Sequence, residues 1–252
     1  MHSSDASNAS SANWDMAQAP GVYQSSRTGS AINEYACFLP PLNSISPATI
    51  GVVDLEVPSK PRSQYQSACE ALQKKKIAEA EKHLRKAIQQ YGKYAAAWVL
   101  LGQVLELQQK PDEARDSCAN SLNASASYLA GYLCLADIST RQKRWDDVLK
   151  YTARTLELNP TTNPISYAYN ALANLNLHHV SEAEKSALKA LEIDVKNTEP
   201  RIHFLLAQIY AAKGDRSNTA AQLREYLRFA KNPDDIAMVK KDLAILDRQP
   251  AK

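Results

Sequence analysis

Residues 98–114, WVLLGQVLELQQKPDEA, decide the fold of this chain. The stretch holds a tryptophan, a Leu-Gly pair, a further leucine, and a proline that precedes an alanine. Apolar residues three and four apart lie on one face of an α-helix, and a proline is tolerated at the first position of a helix. The stretch therefore predicts one helix, a turn, and a second helix that begins at Pro111. A weaker copy, YLCLADISTRQKRWDDV, follows at residues 132–148.

Three positions recur in five copies along the chain. The first is a small residue, found at Ala68, Gly102, Ala136, Ala171 and Ala207, with separations of 34, 34, 35 and 36 residues. The second lies 12 residues after the first, at Ala80, Ala114, Val148, Ala183 and Thr219. The third lies four residues further, at Leu84, Cys118, Thr152, Ala187 and Leu223. A repeat of this length predicts helical hairpins that stack to bury their apolar faces.

This pattern resembles the tetratricopeptide repeat (TPR) family, and uncharacterised bacterial TPR proteins above all. The family's motif positions appear at Trp98, Leu101, Gly102, Leu105, Ala114, Cys118 and Pro160. The resemblance covers about residues 61–232. It implies an all-α superhelical solenoid with five helix-turn-helix repeats, at residues 61–94, 95–128, 129–163, 164–199 and 200–233.

The segments outside the repeats have different compositions. Residues 1–36 are rich in Ser, Asn and Ala, which predicts a disordered arm. Residues 37–60 form an extended lead-in segment, and we expect it to lie along the first repeat or in the protein's own groove. Residues 234–252 are predicted to form a capping helix and tail, because apolar residues follow one stripe at Ile236, Val239, Leu243 and Leu246.

Composition excludes several classes of protein. The chain of 252 residues has 30 Lys and Arg against 27 Asp and Glu, so its overall charge favours neither nucleic acid nor an acidic partner. Its 7 glycines predict few residues with positive φ and no phosphate-binding loop. No catalytic motif or metal-ligand spacing is present, and the adjacent His178 and His179 point apart. The sequence therefore predicts no enzyme, no cofactor and no metal site.

The sequence gives little information about the compartment. No apolar run approaches the ~18 residues that a membrane span needs. Residues 1–36 do not resemble a secretory signal, which favours the cytoplasm by default. A periplasmic or secreted protein stays possible if the natural start lies elsewhere.

The four cysteines are Cys37, Cys69, Cys118 and Cys134, and none forms a Cys-x-x-Cys pair. Cys118 lies where the repeat requires a buried apolar residue, and a free buried cysteine behaves as a small hydrophobe. We therefore expect Cys118 to be free and buried rather than a disulfide or metal ligand, and the sequence leaves the redox state of the four cysteines open.

The TPR resemblance implies that the first helix of each repeat lines a concave groove. By register, its floor is Tyr65, Cys69, Val99, Gln103, Leu133, Asp137, Ala168, Leu172, Phe204 and Gln208. Some TPR proteins bind a C-terminal carboxylate with Lys and Asn at these positions, which would need Lys at Tyr65 and Asn at Cys69 and Gln103. The expected groove is therefore uncharged and partly apolar, and we predict an adaptor that binds an extended or helical peptide of a partner protein.

A basic run, Lys74-Lys75-Lys76, supports an alternative function. Residues 59–94 carry nine basic and three acidic side chains, a net charge of +6. RNA binding would use such a surface with aromatic residues for base stacking, and only Tyr65, Tyr91 and Tyr94 lie nearby. Because runs of charge mostly form a solvated face, a nucleic-acid partner is the second hypothesis.

Overall fold

A computed structural model describes residues 37–40, 42, 56–161 and 163–248 of the chain. The described residues form eleven α-helices and no β-strand. The helices are α1 (Ser59–Gln73), α2 (Ile77–Gln90), α3 (Ala95–Leu107), α4 (Pro111–Ala124), α5 (Leu129–Arg141), α6 (Trp145–Leu158), α7 (Pro164–Asn176), α8 (Val180–Ile193), α9 (Arg201–Ala212), α10 (Arg216–Phe229) and α11 (Pro233–Arg248).

The helices stack as a solenoid of five pairs. Within each pair the two helices pack together, and the second helix of one pair packs on the first helix of the next. The first helices also contact one another, α3 with α5, α5 with α7, and α7 with α9, so they form one continuous layer. The final helix, α11, packs on α10. This architecture confirms the predicted all-α TPR solenoid.

One type of turn joins the two helices of every pair. Each turn contains one residue with positive φ: Lys75 (58°), Gln109 (61°), Lys143 (57°), His178 (62°) and Gly214 (74°). In the first turn the Lys76 N–H donates to the Ala71 carbonyl at 2.8 Å, and the Lys75 N–H donates to the Leu72 carbonyl at 2.9 Å. This is the Schellman arrangement that satisfies the last carbonyls of a helix. The expectation that scarce glycine leaves few positive-φ residues is wrong, because four non-glycine residues adopt this conformation here.

Gly102 permits the close approach of three helices. A Cβ atom at this position would lie 3.0 Å from the Ala114 carbonyl and 3.4 Å from Cys134 Sγ, with Cys118 Sγ closer still. The corresponding residues of the other four repeats are alanines that are at most 1% exposed. The small residue of the repeat therefore lies where helices of one pair and the next meet.

Parts of the predicted ends lie outside the described residues. These are the predicted disordered arm at residues 1–36, the lead-in residues 41 and 43–55, and the tail residues 249–252. The predicted alternation in the lead-in falls mostly among them, although Val57 is described and buried. In the predicted cap, Val239 and Leu243 of α11 are buried against the last pair.

None of the described helices is both long and apolar enough to cross a membrane. Among the same residues, no three or more His, Cys, Asp or Glu side chains are grouped to hold a metal ion.

Candidate functional site

The predicted groove floor is largely buried. Eight of its ten residues are buried: Tyr65, Cys69, Val99, Gln103, Leu133, Ala168, Leu172 and Phe204. Asp137 and Gln208 are only partly buried. Val99 and Leu133 are fully buried in the core, so they contribute to packing between helices rather than to an accessible surface.

Described residues of the lead-in segment lie against the first-helix layer of repeats 1 to 3. We call residues 37–40 and 42 the docked segment. The Cys37 N–H donates to the Tyr65 hydroxyl at 3.2 Å, and the Leu39 N–H donates to Gln103 Oε1 at 2.9 Å. Gln103 Nε2 donates to the Leu39 carbonyl at 2.8 Å. One glutamine side chain therefore binds both the N–H and the carbonyl of Leu39. The segment turns after this residue, because the Leu42 N–H donates to the same carbonyl at 3.0 Å.

Apolar contacts complete the docking. Leu42 is 1% exposed. A cleft remains between the docked segment and the helices. It is lined by Leu39, Pro40, Leu42, Gln103, Glu106, Cys134, Asp137 and Ile138. The N-terminal half of the concave face thus already holds a peptide, which belongs to the chain itself.

A disulfide fixes the docked segment to the groove. Cys37 is bonded to Cys69, and a second disulfide joins Cys118 to Cys134, with a Cα–Cα distance of 5.9 Å in each pair. The expectation of a free Cys118 is therefore wrong, and the redox state that the sequence left open is oxidised for all four residues. Residues 32 and 16 positions apart in sequence become neighbours only after the helices stack, so their spacing gave no sign of the pairing.

The groove carries a partly buried charge network, which contradicts the expected uncharged floor. Arg141 Nε lies 3.2 Å from Asp137 Oδ2 and 3.8 Å from Glu106 Oε2. The Tyr169 hydroxyl donates to Asp137 Oδ1 at 2.6 Å. Sequence reasoning included Asp137 but missed the other three, although Arg141 lies one helical turn after Asp137 and could have been found from that spacing.

Burial shifts the pKa values of this network. Burial raises the pKa of the Glu106 carboxyl, Arg141 opposes that shift, and Asp137 adds to it. Burial, together with the adjacent Asp137 carboxylate, raises the pKa of Tyr169 well above its ordinary value. Tyr169 therefore remains a hydrogen-bond donor at neutral pH, and Asp137 is held between a hydroxyl and a guanidinium.

The C-terminal half of the groove is built by repeats 4 and 5. Ala168 and Leu172 come from α7, and Phe204 and Gln208 come from α9. The Phe204 ring packs edge-on against Tyr226 at 5.6 Å between centroids, so it also belongs to the core beneath α11.

Gln208 occupies the same repeat position as Gln103, one residue after the small residue. Its Oε1 atom is buried and accepts no hydrogen bond from any described residue. A buried amide oxygen without a donor is costly, and a ligand N–H would satisfy it.

The basic run forms the first of the five turns. Lys74 caps the C-terminus of α1, and Lys75 has the positive φ. Lys76 precedes α2, and its Nζ atom lies 2.9 Å from Glu79 Oε2. The aromatic residues that RNA binding would need are poorly placed, because Tyr65 and Tyr94 are each at most 2% exposed.

Comparisons with known proteins agree with this architecture. A tetratricopeptide-repeat family model matches residues 71–124. No curated protein sequence matches the chain. Many solved structures do match it, and all of those described next are less than 20% identical to it.

Three of these structures match this chain over most of their own length. A thermophilic TPR protein of Thermus thermophilus is 16% identical, covers 73% of this chain and 99% of its own, and has a TM-score of 0.60. PilW, a widely conserved type IV pilus biogenesis factor, is 16% identical, with coverages of 75% and 86% and a TM-score of 0.67. YrrB, a TPR protein with an unusual peptide-binding site, is 18% identical, with coverages of 71% and 90% and a TM-score of 0.54.

The repeat, the stacked helix pairs and these matches together show that the chain has a TPR-like all-α solenoid fold, with a tetratricopeptide repeat matched at residues 71–124.

Proposed function

We propose that this protein is a non-catalytic adaptor that binds an extended segment of a partner protein along its concave face. The observation that carries the proposal is the bidentate binding of Leu39 by Gln103. It supports the proposal because a groove that holds one segment through its main chain has the width and the polar groups to hold another. The similarity to YrrB, whose structure is described as having an unusual peptide-binding site, points the same way.

The partner is expected to enter at the C-terminal half of the groove. The N-terminal half is covered by the docked segment, whereas Gln208 offers its amide at the equivalent position in repeat 5. Ala168 and Leu172 would provide an apolar floor, and the adjoining charge network would favour a partner segment with polar groups at that end. Of the ten floor residues, we therefore propose Ala168, Leu172, Phe204 and Gln208 as the partner-contacting set.

The RNA-binding alternative rests only on the charge of the first repeat, and no comparison favours it. Salt dependence distinguishes the two functions. Release of counterions would weaken RNA binding by ~10³-fold or more between low and moderate salt, whereas a groove that binds main chain and apolar side chains would respond weakly.

The test is a selection of random peptides displayed on phage against the oxidised full-length protein. Peptides recovered from it should bind Gln208→Ala at least tenfold more weakly than the wild type, because one pair of main-chain hydrogen bonds is lost. Gln73→Ala is the matched control, since Gln73 is an exposed glutamine at the end of α1. It should leave affinity unchanged.

A second comparison separates the groove from the basic turn. Changing Lys74, Lys75 and Lys76 to serine should weaken binding less than Gln208→Ala does, with the difference from wild type vanishing at high salt. If the triple variant abolishes binding while Gln208→Ala leaves it intact, the groove is not the recognition site. Phe204→Ala is a poorer test, because the ring packs on Tyr226 and its loss would disturb α11.

A further inference from the structure

We infer that the disulfide between Cys37 and Cys69 controls access to a second peptide site, in the N-terminal half of the groove. In the oxidised protein the docked segment fills this site. When the disulfide is reduced, the site accepts a partner segment that turns after an apolar residue followed by proline, as the chain does at Leu39-Pro40. This inference rests on the proposed function, because it takes the concave face to be the surface that binds peptides.

The contacts of the docked segment describe the ligand. Gln103 binds the main-chain N–H and carbonyl of Leu39, so it selects the backbone of this residue without selecting its side chain. Pro40 fixes its own φ, which suits the turn closed by the Leu42 N–H and the Leu39 carbonyl at 3.0 Å, and its missing N–H leaves no donor to satisfy. Leu42 is 1% exposed, so the site also takes a buried aliphatic side chain.

Covalent attachment makes the docked segment a strong competitor. The segment is joined to α1 by the chain through residues 43–55 and to the groove by the disulfide. A ligand held in this way has an effective concentration in the millimolar range or above, so a free peptide of ordinary affinity cannot displace it. Opening the disulfide leaves three hydrogen bonds and the apolar contacts of a few side chains to hold the segment.

The two disulfides differ in accessibility. Cys37 is only partly buried, whereas Cys118 and Cys134 are at most 2% exposed. A dithiol reductant can therefore reach the first disulfide while the second stays closed. The reductant's thiolate attacks one sulfur of the protein disulfide to form a mixed disulfide and release one protein thiol. Its second thiol then breaks the mixed disulfide and releases the other protein thiol. Two electrons and two protons pass to the protein, which gains two thiols, and the reductant becomes a cyclic disulfide.

The probe for this site is a fluorescent peptide, Ser-Phe-Leu-Pro-Pro-Leu, which copies residues 37–42 with serine for Cys37. Its anisotropy is measured with the oxidised full-length protein and with the Cys37→Ser/Cys69→Ser variant. Binding should be at least tenfold tighter to the variant. Adding Gln103→Ala to the variant should weaken binding at least tenfold, whereas adding Gln73→Ala, at an exposed glutamine, should not change it. A peptide of the same composition in scrambled order should not bind.

Hydrogen exchange at the Leu39 amide is the second measurement, since it does not depend on the added peptide. Protection of this amide should fall at least tenfold in the double variant. If the variant does not fold, the wild type is treated with dithiothreitol until alkylation and mass spectrometry detect thiols at Cys37 and Cys69 alone. Both measurements are then made on that species.

Equal binding of the probe to the oxidised protein and the folded variant would overturn the inference. The inference would also be overturned if Gln103→Ala left binding of the probe unchanged, or if the probe did not bind the variant at millimolar concentration. Unchanged protection of the Leu39 amide in the variant would overturn it as well. Any of these results would leave partner recognition through Gln208 standing, because that is measured on the oxidised protein with selected peptides.

Discussion

The positive φ of Lys75 gives a sharp test of how the repeats end their first helices. Lys75 and its neighbour Lys74 are both exposed, but φ is 58° at Lys75 and −84° at Lys74. A left-handed conformation costs a non-glycine residue about 1–2 kcal/mol, and glycine avoids this cost. Glycine also loses more conformational freedom on folding, which costs about 0.5–1 kcal/mol. Lys75→Gly should therefore raise the free energy of unfolding by about 0.5–1 kcal/mol.

Lys74→Gly is the matched control, because it removes the same charge one residue away without relieving any strain. It should lower the free energy of unfolding by about 0.5–1 kcal/mol, so the two variants should differ by about 1–2 kcal/mol. Urea unfolding followed by circular dichroism measures both. Because stability in a solenoid is largely a property of neighbouring repeats, hydrogen exchange should place the change in α1 to α3.

Equal losses in the two variants would refute this account of the turn. Gly214→Ala provides the converse case. A Cβ atom at Gly214 would meet no atom within 4 Å, so a net loss of about 0.5–1 kcal/mol there would come from the backbone alone. Agreement at both sites would show that the positive φ of the turn, and not a side-chain contact, accounts for the changes in stability.

Three further predictions concern the core, the disulfides and pH. Leu243→Ala should cost about 2–5 kcal/mol by urea unfolding, with protection lost mainly in α9 to α11, whereas Leu188→Ala, at a residue 45% exposed, should cost little. Replacing Cys118 and Cys134 by alanine should cost about 3 kcal/mol, since their disulfide closes a loop of 16 residues; no change in the urea midpoint would contradict a stabilising role. Burial raises the pKa of Tyr226 from 10 to about 12, so the folded state holds its proton more tightly, and stability should fall between about pH 10 and 12. Tyr226→Phe should remove that part of the decline in pH-dependent unfolding, and an unchanged slope would contradict the shift.

The solenoid could be predicted from sequence because its determinants are local. The small residue of each repeat lies at a helix contact, and its spacing along the chain fixes the period. Pro111 begins α4 and Pro233 begins α11, because a helix does not use the N–H that proline lacks at its first position. None of these inferences needs a contact between distant parts of the chain.

The contents of the groove depend on distant contacts, which the repeat pattern does not encode. Leu39 and Gln103 are 64 residues apart, and four cysteines allow three pairings that spacing alone does not distinguish. A signal was nevertheless present, because the sequence placed Cys69 on the groove floor and allowed the lead-in segment, which contains Cys37, to lie in the groove. Those two expectations together favour the observed disulfide.

The charge network was missed for a different reason. The floor was predicted from equivalent positions in each repeat, and Asp137 occupies one of these positions. The partners that neutralise this carboxylate, Arg141 and Tyr169, come from the next turn of α5 and from α7. A buried carboxylate needs such partners, so Asp137 on a predicted floor should itself have prompted a search for them.

The repeat places chemically equivalent groups at both ends of one groove, and among the described residues one end binds a segment of the chain itself. Gln103 and Gln208 share a repeat position, yet Gln103 makes two hydrogen bonds to the docked segment while the buried Oε1 of Gln208 accepts none from the described residues. The network centred on Asp137 lies between the two halves and bonds α5 to α7. A partner segment in the C-terminal half would therefore run from Gln208 towards this network, with the docked segment beyond it. On this arrangement the oxidised protein would bind a partner segment along about two repeats of the groove. The reduced protein would bind a segment along more repeats, so one surface would serve partner segments of different length.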